Sequence, residues 1–547
     1  MKLVTVPQMH QIEQEADGSG LTYEKMMENA GYNLSREVLR LAYAQEDEEE
    51  IQVLGLVGPG NNGGDTLVAL ARLAEKGWTA RAYLIHRKVT GDSLIKRLED
   101  AEGEVYQAEK DENFQQLQAF LESADVVLDG VLGTGFKLPL KDEIGSALAA
   151  VQGIVAEMEW PPYIIAVDCP SGVDSDSGQA APQTIPADAT VTMAAVKQGL
   201  LKLPAYDLIG ELRVVDIGRL DDLQAWQAVR NEVADEGMAM SLLPLRPTDA
   251  HKGTFGTAFI AAGSVNYTGA ALLAGKAAYR SGAGLVTLAI PASLHGTLAG
   301  QFPEATWVLL PHEMGVIASG AANVLMKNLE RATSLLIGPG LGLEDTTKEF
   351  ITNMLNVASE KPAHGRMGFV QGGGPKPNLA PVSLPPLIFD ADGLKLLAKL
   401  PGWPKLLPAP AILTPHPGEM SALTGLAIDE IQKDRMVVAR KFSQEWGHVV
   451  VLKGAFTIIA EPDGHTTTIP VASPALARAG TGDVLAGLIT GLRAQGVNAY
   501  DAARAGAWIH AQAGISASEV LGSTAAVMAG DVLEAIPEII AELDYGK

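Results

Sequence analysis

The sequence is organised around Ala479-Gly480-Thr481-Gly482-Asp483-Val484-Leu485-Ala486-Gly487. Its two leading glycines allow the backbone to approach an anionic group closely and to adopt positive φ. The N–H groups and dipole of the helix predicted to follow favour a phosphate at this position. Asp483 would be repelled by that phosphate unless it accepts a proton from a hydroxyl that reacts beside it. The alternative is a tight turn with an Asp cap, so the rest of the sequence has to decide.

Length and composition limit the classes of protein to consider. The chain has 547 residues and is 47% hydrophobic, which is enough for two large α/β domains. A net charge of −24 argues against nucleic acid as a partner, because binding phosphate backbones needs a basic face. No apolar run reaches the roughly 18 residues of a membrane span, and the polar N-terminus lacks the core of a signal peptide. The single cysteine, Cys169, fits a reducing cytoplasm, where we expect the protein to reside.

The N-terminal half has the layout of a doubly wound nucleotide-binding unit. Helices are predicted at 7–17 and 22–45, and the acidic run at 46–50 is predicted to be a solvated loop. A strand at 51–57 then runs into Gly58-Pro59-Gly60-Asn61-Asn62-Gly63-Gly64-Asp65, before a helix at 66–76 and a strand at 79–85. The glycine-rich turn matches neither a dinucleotide fingerprint nor a P-loop.

Two further strands of this half end in carboxylates. Strand 124–129 ends at Asp129, and strand 163–168 ends at Asp168, just before Cys169-Pro170-Ser171-Gly172. Because ligands bind at the carboxyl ends of parallel strands, Asn62, Asp129 and Ser171 could surround a hard cation, and Asp168 could serve as acid or base. Each Asp could equally cap a helix or a turn, and we interpret Cys169 as a packing residue.

These segments resemble the NAD(P)HX epimerase domain, the YjeF N-terminal family, over about residues 1–220. The resemblance implies a Rossmann-like fold that interconverts the R and S epimers of hydrated NADH and NADPH. It also implies that Asn62, Asp129 and Ser171 ligate potassium and that Asp168 is the catalytic carboxylate. The substrate-binding residues that it implies are Asn61, Asn62, Gly63, Gly64, Asp65, Gly133, Thr134, Gly135, Phe136, Lys137, Leu138, Pro139 and Asp168. Thr66 departs from the glycine that the family usually carries, which questions the shape of that loop.

The domain boundary is predicted in the polar, helix-prone stretch at 218–243, which is followed by Pro244 and Pro247. We therefore predict domains at 1–222 and 244–547, joined by a linker at 223–243. In the second domain a helix is predicted at 269–281 and a Pro/Gly-rich surface loop at 361–386. Strands alternating with loops and helices predict a mainly parallel sheet, with strands at 257–262, 285–290, 335–337, 387–389, 411–413 and 449–452.

Several strand-end loops of the second domain support a phosphate site at 479–487. Lys453 follows a strand directly, and placed beside Gly482 and Asp483 it would supply positive charge where Asp483 supplies a base. Positioning, charge neutralisation and a proton acceptor are what phosphoryl transfer requires. His416 lies between two prolines and could face a substrate or be a turn residue.

The second domain resembles the ADP-dependent NAD(P)HX dehydratase domain, a ribokinase-like family, over about 244–540. The resemblance rests on His251-Lys252-Gly253, Gly338-Pro339-Gly340-Leu341-Gly342, Asp390-Ala391-Asp392-Gly393-Leu394, His416-Pro417-Gly418-Glu419, Lys453-Gly454 and Gly480-Thr481-Gly482-Asp483. It implies that Mg²⁺ and ADP are used and that the adenine nucleotide contacts Lys453, Gly454, Ala455, Phe456, Thr457 and Gly482. It implies that the hydrated dinucleotide contacts Ala270, Gly340, His416 and Asp483, with Asp483 catalytic. Lys395 departs from the family's usual Asn.

Together the halves resemble the bifunctional NAD(P)H-hydrate repair family. The resemblance implies epimerisation of (R)- and (S)-NAD(P)HX, followed by ADP-dependent dehydration of the S epimer to NAD(P)H, AMP and phosphate. We expect a homo-oligomer that acts on small molecules without nucleic-acid or membrane partners. Two alternatives stay open. The second domain could be a sugar or vitamin kinase, and the first could be a nucleotide-sensing or protein-binding module.

Overall fold

The computed structural model describes residues 1–43, 51–359 and 384–545 of the chain. The acidic loop predicted at 46–50 and most of the surface loop predicted at 361–386 lie outside these residues. The chain divides into two compact units, Met1–Asn231 and Glu232–Lys547. None of the helices in the described ranges combines the length and apolar composition needed to cross a membrane.

The first unit alternates strands and helices along the chain. Its strands are β1 (Leu3–Val4), β2 (Gln52–Val57), β3 (Thr79–Leu84), β4 (Glu104–Gln107), β5 (Val126–Gly130), β6 (Tyr163–Val167), β7 (Ala189–Met193), β8 (Val196–Lys197) and β9 (Glu211–Val215). Its helices are α1 (Val6–Gly18), α2 (Tyr23–Tyr43), α3 (Asn61–Ala74), α4 (Ser93–Asp100), α5 (Gln115–Ser123), α6 (Asp142–Glu157) and α7 (Gln224–Gln227).

A seven-stranded parallel sheet in the order β4-β3-β2-β5-β6-β7-β9 forms the centre of this unit. Alternate residues of β2 pack into different cores: Val53 and Val57 into one, Leu54 and Leu56 into the other. The unit therefore has three layers, with helices covering both faces of the sheet, as predicted. The strand order reverses between β2 and β5, and this switch point is where doubly wound sheets bind ligands.

The start of α3 differs from the prediction. The helix begins at Asn61 instead of residue 66, so that Asn61 to Asp65 form its first turn and Gly60 is its N-cap. A Cβ on Gly63 would lie 2.1 Å from the carbonyl oxygen of Gly58, and only glycine fits where the helix packs on its own entry turn. Two adjacent glycines lower helix propensity, which is why the sequence pattern predicted a loop.

The second unit has more strands than were predicted. They are β10 (Asn231–Val233), β11 (Thr257–Ala261), β12 (Leu285–Pro291), β13 (Thr306–Leu310), β14 (His312–Glu313), β15 (Val316–Ile317), β16 (Ser334–Ile337), β17 (Leu387–Phe389), β18 (Ile412–Leu413), β19 (Val449–Leu452), β20 (Ile458–Ala460) and β21 (Thr466–Thr468). Its helices are α8 (Glu236–Leu242), α9 (Thr268–Arg280), α10 (His295–Leu298), α11 (Ala321–Lys327), α12 (Asp345–Ser359), α13 (Asp392–Leu397), α14 (Pro417–Thr424), α15 (Ile428–Lys433), α16 (Arg435–Trp446), α17 (Thr481–Ala494), α18 (Ala499–Leu521) and α19 (Ala529–Tyr545).

Its main sheet has ten strands in the order β10-β21-β20-β19-β18-β17-β16-β11-β12-β13. The strands from β19 to β13 run parallel, whereas β20 and β21 turn back as an antiparallel edge. Two cores again lie on opposite faces: Leu336 and Ile388 pack into one, Leu335 and Phe389 into the other. The predicted parallel α/β sheet is confirmed, and its switch point lies between β11 and β16.

The stretch at 223–243, predicted to be a linker, is folded. Helix α7 packs on α1 in the first unit, while α8 packs on α18 and α19 in the second. Ala234 N donates to Thr468 O over 2.9 Å, and Asp235 caps α8 through Met238 N. The unit boundary falls inside β10. The stretch is regular although its sequence is polar, because helix caps and backbone pairing stabilise it, and hydrophobic periodicity does not detect either.

Candidate active sites

The first candidate site lies at the switch point of the first unit. The loop after β5 packs on the turn after β2, since a Cβ on Gly58 would lie 1.8 Å from Val131 O. A Cβ on Gly133 would lie 2.3 Å from the Asn62 side-chain oxygen, so the two predicted substrate-binding segments are in contact. Strand order therefore brings together loops that are about 70 residues apart, as the strand-end rule anticipates.

This contact predicts a strong effect of the Gly58→Ala substitution. The added methyl cannot be accommodated without moving the backbone at Val131, so we expect a loss of about 2 kcal/mol in the stability of the first unit. Urea unfolding followed by circular dichroism measures it. The matched control is Gly153→Ala in α6, where a Cβ meets nothing within 4 Å. Equal stability of the two variants would contradict the tight packing.

The predicted cation ligands form one connected group. Asp129 is 1% exposed and accepts hydrogen bonds from Ser171 Oγ at 2.5 Å and from Ser171 N at 2.8 Å. Leu132 links the other two ligands, because its N–H donates to Ser171 Oγ and its carbonyl accepts from Asn62 Nδ2. Burial raises the pKa of Asp129. Within the described ranges no basic side chain forms an ion pair with Asp129, so a buried carboxylate without a counter-charge fits a bound cation.

Asp168 faces a partner that the sequence analysis missed. The Lys197 ammonium donates to Asp168 Oδ1, and both residues are buried. Burial raises the pKa of Asp65 well above its usual value, and the negative charge of Asp168 adds to this effect. No sequence motif indicates Lys197, which lies at the end of the two-residue strand β8. The site therefore pairs Asp168 with the Lys197 ammonium, while burial favours the neutral form of Asp65.

The rest of the predicted loop is more open. Thr134, Gly135, Phe136, Lys137, Leu138 and Pro139 are partly buried or exposed, and the Leu138–Pro139 peptide is cis. The departure at Thr66 is accommodated inside α3, where its hydroxyl donates to Asn62 O over 2.7 Å. A Cβ on Gly130 would lie 1.9 Å from that hydroxyl oxygen, so Thr66 fills the space above a glycine.

The second candidate site lies where β11, β16, β17, β18 and β19 end. A Cβ on Gly340 would lie 2.9 Å from the Cβ of Ala270, so these two predicted substrate contacts adjoin. Gly480 has φ of 91° and forms the N-cap of α17, as the opening glycines of this motif predicted. The ideal Cβ position of Gly482 is 3.5 Å from Lys453 Nζ, which brings the strand-end lysine to the helix N-terminus.

A buried ionic cluster surrounds Lys453. Its ammonium lies 2.6 Å from Asp390 Oδ1 and 3.8 Å from Glu419 Oε2, and Thr414 Oγ1 donates to the same Asp390 oxygen. Burial and the negative charge of Asp390 raise the pKa of Asp483 to about 7, although Lys453 opposes the shift. Asp483 is therefore balanced between its acid and base forms near neutral pH.

The positive charge predicted at Lys453 is compensated by neighbouring carboxylates, a pairing that the sequence did not indicate. Asp392 and Lys395 form a second pair at 3.2 Å beside it. With Asp390, Glu419 and Asp483 the cluster holds four carboxylates against two ammonium groups. Oxygen donors with excess negative charge are what a divalent cation such as Mg²⁺ requires.

His416 caps a helix, which corresponds to the turn role considered for it. Its Nδ1 accepts from Gly418 N at 3.0 Å and from Glu419 N at 3.3 Å, which caps α14, and half of its side chain is exposed. The proton of the neutral ring therefore belongs on Nε2, which lies 3.3 Å from Glu419 Oε1. Burial lowers the pKa of His416, so the neutral ring is favoured.

The predicted nucleotide loop, Lys453 to Thr457, turns between β19 and β20. Gly454 has φ of 147°, and Thr457 Oγ1 donates back to Gly454 O over 3.0 Å. Arg435 holds the turn through the carbonyls of Leu452 and Ala455. Arg435, which no motif indicated, and the acids Asp390 and Glu419, whose motifs were noted without a role, complete the site.

Comparison with known proteins gives matches to both units. Residues 23–199 match the family described as YjeF-related protein N-terminus, and residues 258–361 and 379–538 match the family described as NAD(P)H-hydrate dehydratase. The bifunctional NAD(P)H-hydrate repair enzyme Nnr of Moorella thermoacetica is 34% identical over 100% of this chain and 97% of that protein. The Escherichia coli protein of the same name is 31% identical over 96% of this chain and 91% of its own length.

A solved structure is also similar to part of this chain. It is the ADP/ATP-dependent NAD(P)H-hydrate dehydratase of Bacillus subtilis, co-crystallised with ATP and Mg²⁺, with a TM-score of 0.45 and 29% identity. The match covers 57% of this chain and 98% of that chain.

Proposed function

Because this chain belongs to the family of bifunctional NAD(P)H-hydrate repair enzymes, we propose that it restores hydrated NADH and NADPH in two steps. The first unit interconverts the R and S epimers of NAD(P)HX. The second unit dehydrates the S epimer at the expense of ADP and yields NAD(P)H, AMP and phosphate. The observation that carries the proposal is Asp483, a partly buried base at a helix N-terminus beside Lys453, with its pKa raised to about 7.

In the second unit Asp483 removes the proton from the C6 hydroxyl of the hydrated ring. The hydroxyl oxygen then bonds to the β-phosphorus of ADP, and the bond between that phosphorus and AMP breaks. Phosphate leaves C6 more readily than hydroxide, and its departure with a C5 proton restores the ring double bond. Ala270, Gly340 and His416 orient the dinucleotide, while the N–H groups at the start of α17 stabilise the phosphoryl oxygens.

ADP is held by Lys453, Gly454, Ala455, Phe456, Thr457 and Gly482. Mg²⁺ fits the carboxylates of Asp390 and Asp392, and when bound it neutralises phosphate charge. The arrangement of Lys453 with Asp390 and Glu419 keeps the ammonium in place at the phosphate end of the nucleotide.

In the first unit Asp168 exchanges a proton with the substrate, which lies against Asn61 to Asp65 and Gly133 to Pro139. Potassium fits between Asn62, Asp129 and Ser171, where it supplies the counter-charge that Asp129 lacks. We also propose a homo-oligomer in the cytoplasm, a location that the buried free thiol of Cys169 supports.

The test is to incubate the protein with mixed epimers of hydrated NADH, K⁺, Mg²⁺ and either ADP or ATP. We expect the absorbance of the reduced nicotinamide to return in full, because epimerisation feeds the R form into dehydration. Return of about half of the absorbance would mean that only the second unit is active. A stable phosphorylated product without NADH would instead identify a small-molecule kinase.

A further inference from the structure

We propose that Lys197 is a positioning residue of the epimerase site, which holds Oδ1 of Asp168 so that Oδ2 exchanges the substrate proton. This inference rests on the epimerase function proposed above. It assigns a role to a lysine outside the glycine-rich and strand-end motifs.

Every proton of the Lys197 ammonium has an acceptor. Besides Asp168 Oδ1, these acceptors are Thr192 Oγ1 at 3.1 Å and Met193 O at 2.9 Å. The side chain is 2% exposed, so no water replaces these contacts. A fully bonded, buried ammonium is held in one place and is suited to orienting a partner, rather than to donating a proton itself.

The two oxygens of Asp168 have different surroundings. Oδ1 accepts from Lys197 Nζ, from Thr192 Oγ1 at 3.0 Å and from Met193 N at 2.9 Å. Among the described residues no donor contacts Oδ2. Because Asp168 has φ of 67°, its backbone is in the left-handed region at the end of β6, a conformation kept by surrounding structure at functional sites. Oδ2 is therefore the oxygen left for substrate.

The fold places Lys197 through the first residues of the chain. Strand β1 pairs in parallel with β8, with Val4 opposite Lys197, and Val196 N donates to Lys2 O over 3.0 Å. Ala194, at φ of 62°, turns the chain between β7 and β8 so that Lys197 comes back to the end of β6. Strand β1 lies outside residues 23–199, which match the family, whereas β8 lies inside them.

The groups that face the Asp168–Lys197 pair are mostly acids, so Lys197 is the counter-ion of Asp168. Glu13 faces the pair from α1 and Asp65 from α3, while Cys169 adjoins Asp168 in the chain. Burial raises the pKa of Glu13 and of Asp65. Among the described residues, Lys197 is the basic side chain that pairs with Asp168.

The experiment measures exchange of purified R epimer into S epimer by chromatography, without ADP, so that dehydration does not remove the product. For Lys197→Met we expect kcat to fall roughly 100-fold while KM changes less than about threefold, because orientation of the base is lost. Lys197→Arg should recover most of the rate. Lys202→Met is the control, since Lys202 is exposed and its ammonium donates to the carbonyl of Asp176.

A double-mutant cycle with Asp168→Asn separates this role from a general structural one. If Lys197 acts through Asp168, adding Lys197→Met to Asp168→Asn costs no further rate. Additive losses, or a Lys197→Met rate within threefold of wild type, would overturn the inference. Should Lys197→Met fail to fold, Lys197→Gln replaces it in the same cycle. Wild-type protein that exchanges no epimer would instead refute the proposed function.

Discussion

Asp483→Asn is expected to lower ADP-dependent dehydration by about 10³-fold, because it removes the proton acceptor while keeping the shape of the side chain. Binding of ADP and dinucleotide should change little, so the loss should be in kcat. Recovery of NADH absorbance from the S epimer measures it. Epimer exchange by the first unit, assayed without ADP, serves as an internal control and should be unchanged.

The pH dependence gives a second readout for Asp483. Its pKa of about 7 means that wild-type kcat/KM should rise with pH up to about 7 and then level off, as the carboxylate becomes ionised. This limb should disappear in Asp483→Asn. The matched control is Asp501→Asn, which removes another acid from the first turn of a helix, α18, in the same unit. A variant that keeps wild-type rate and pH profile would rule out Asp483 as the base.

The stability of the wild-type second unit should fall over the pH range in which its kcat/KM rises. A folded-state pKa above the usual value means that the native state holds the proton more tightly than the unfolded chain does. The ionised Asp483 therefore reduces stability as pH rises from about 4 to about 7. At pH 8 we expect Asp483→Asn to be at least as stable as wild type, so lost activity would not be due to unfolding.

Lys453→Met is expected to destabilise the second unit by about 3 kcal/mol, because it leaves Asp390 and Glu419 buried without their shared counter-charge. The free energy of unfolding, measured with urea, tests this result. Dehydration should fall by about 10²-fold or more, since the nucleotide loses its nearest ammonium. Lys399→Met is the control, because Lys399 is exposed and lies just past the end of α13.

The loss in Lys453→Met should come from the missing charge and not from lost packing, because methionine fills a similar volume. Wild-type stability at pH 8 would contradict the compensation seen in the cluster.

The parts of the sites that could be predicted are those set by residues close together in the chain. Asp129 and Asp168 stand at strand ends in the chain itself, and parallel strands place all such ends on one edge of a sheet. Gly480 likewise precedes a helix-forming run, so its positive φ is a local property. The start of α3 at Asn61 was missed because two adjacent glycines lower helix propensity, whereas in the structure Gly63 packs on the carbonyl of Gly58.

Two α/β units with parallel sheets, and glycine-rich loops and carboxylates at their strand ends, can be predicted from the residues alone, because hydrophobic runs and glycine turns are short-range signals. Which charges neutralise one another depends on the folded arrangement of the strands and helices. Lys453 pairs with Asp390 across 63 residues because their strands end at one edge of the sheet. Lys197 pairs with Asp168 across 29 residues because the chain turns at Ala194 and β8 pairs with β1. The charge state of a buried acid depends on those neighbours and on burial, and neither is a property of its own stretch of chain.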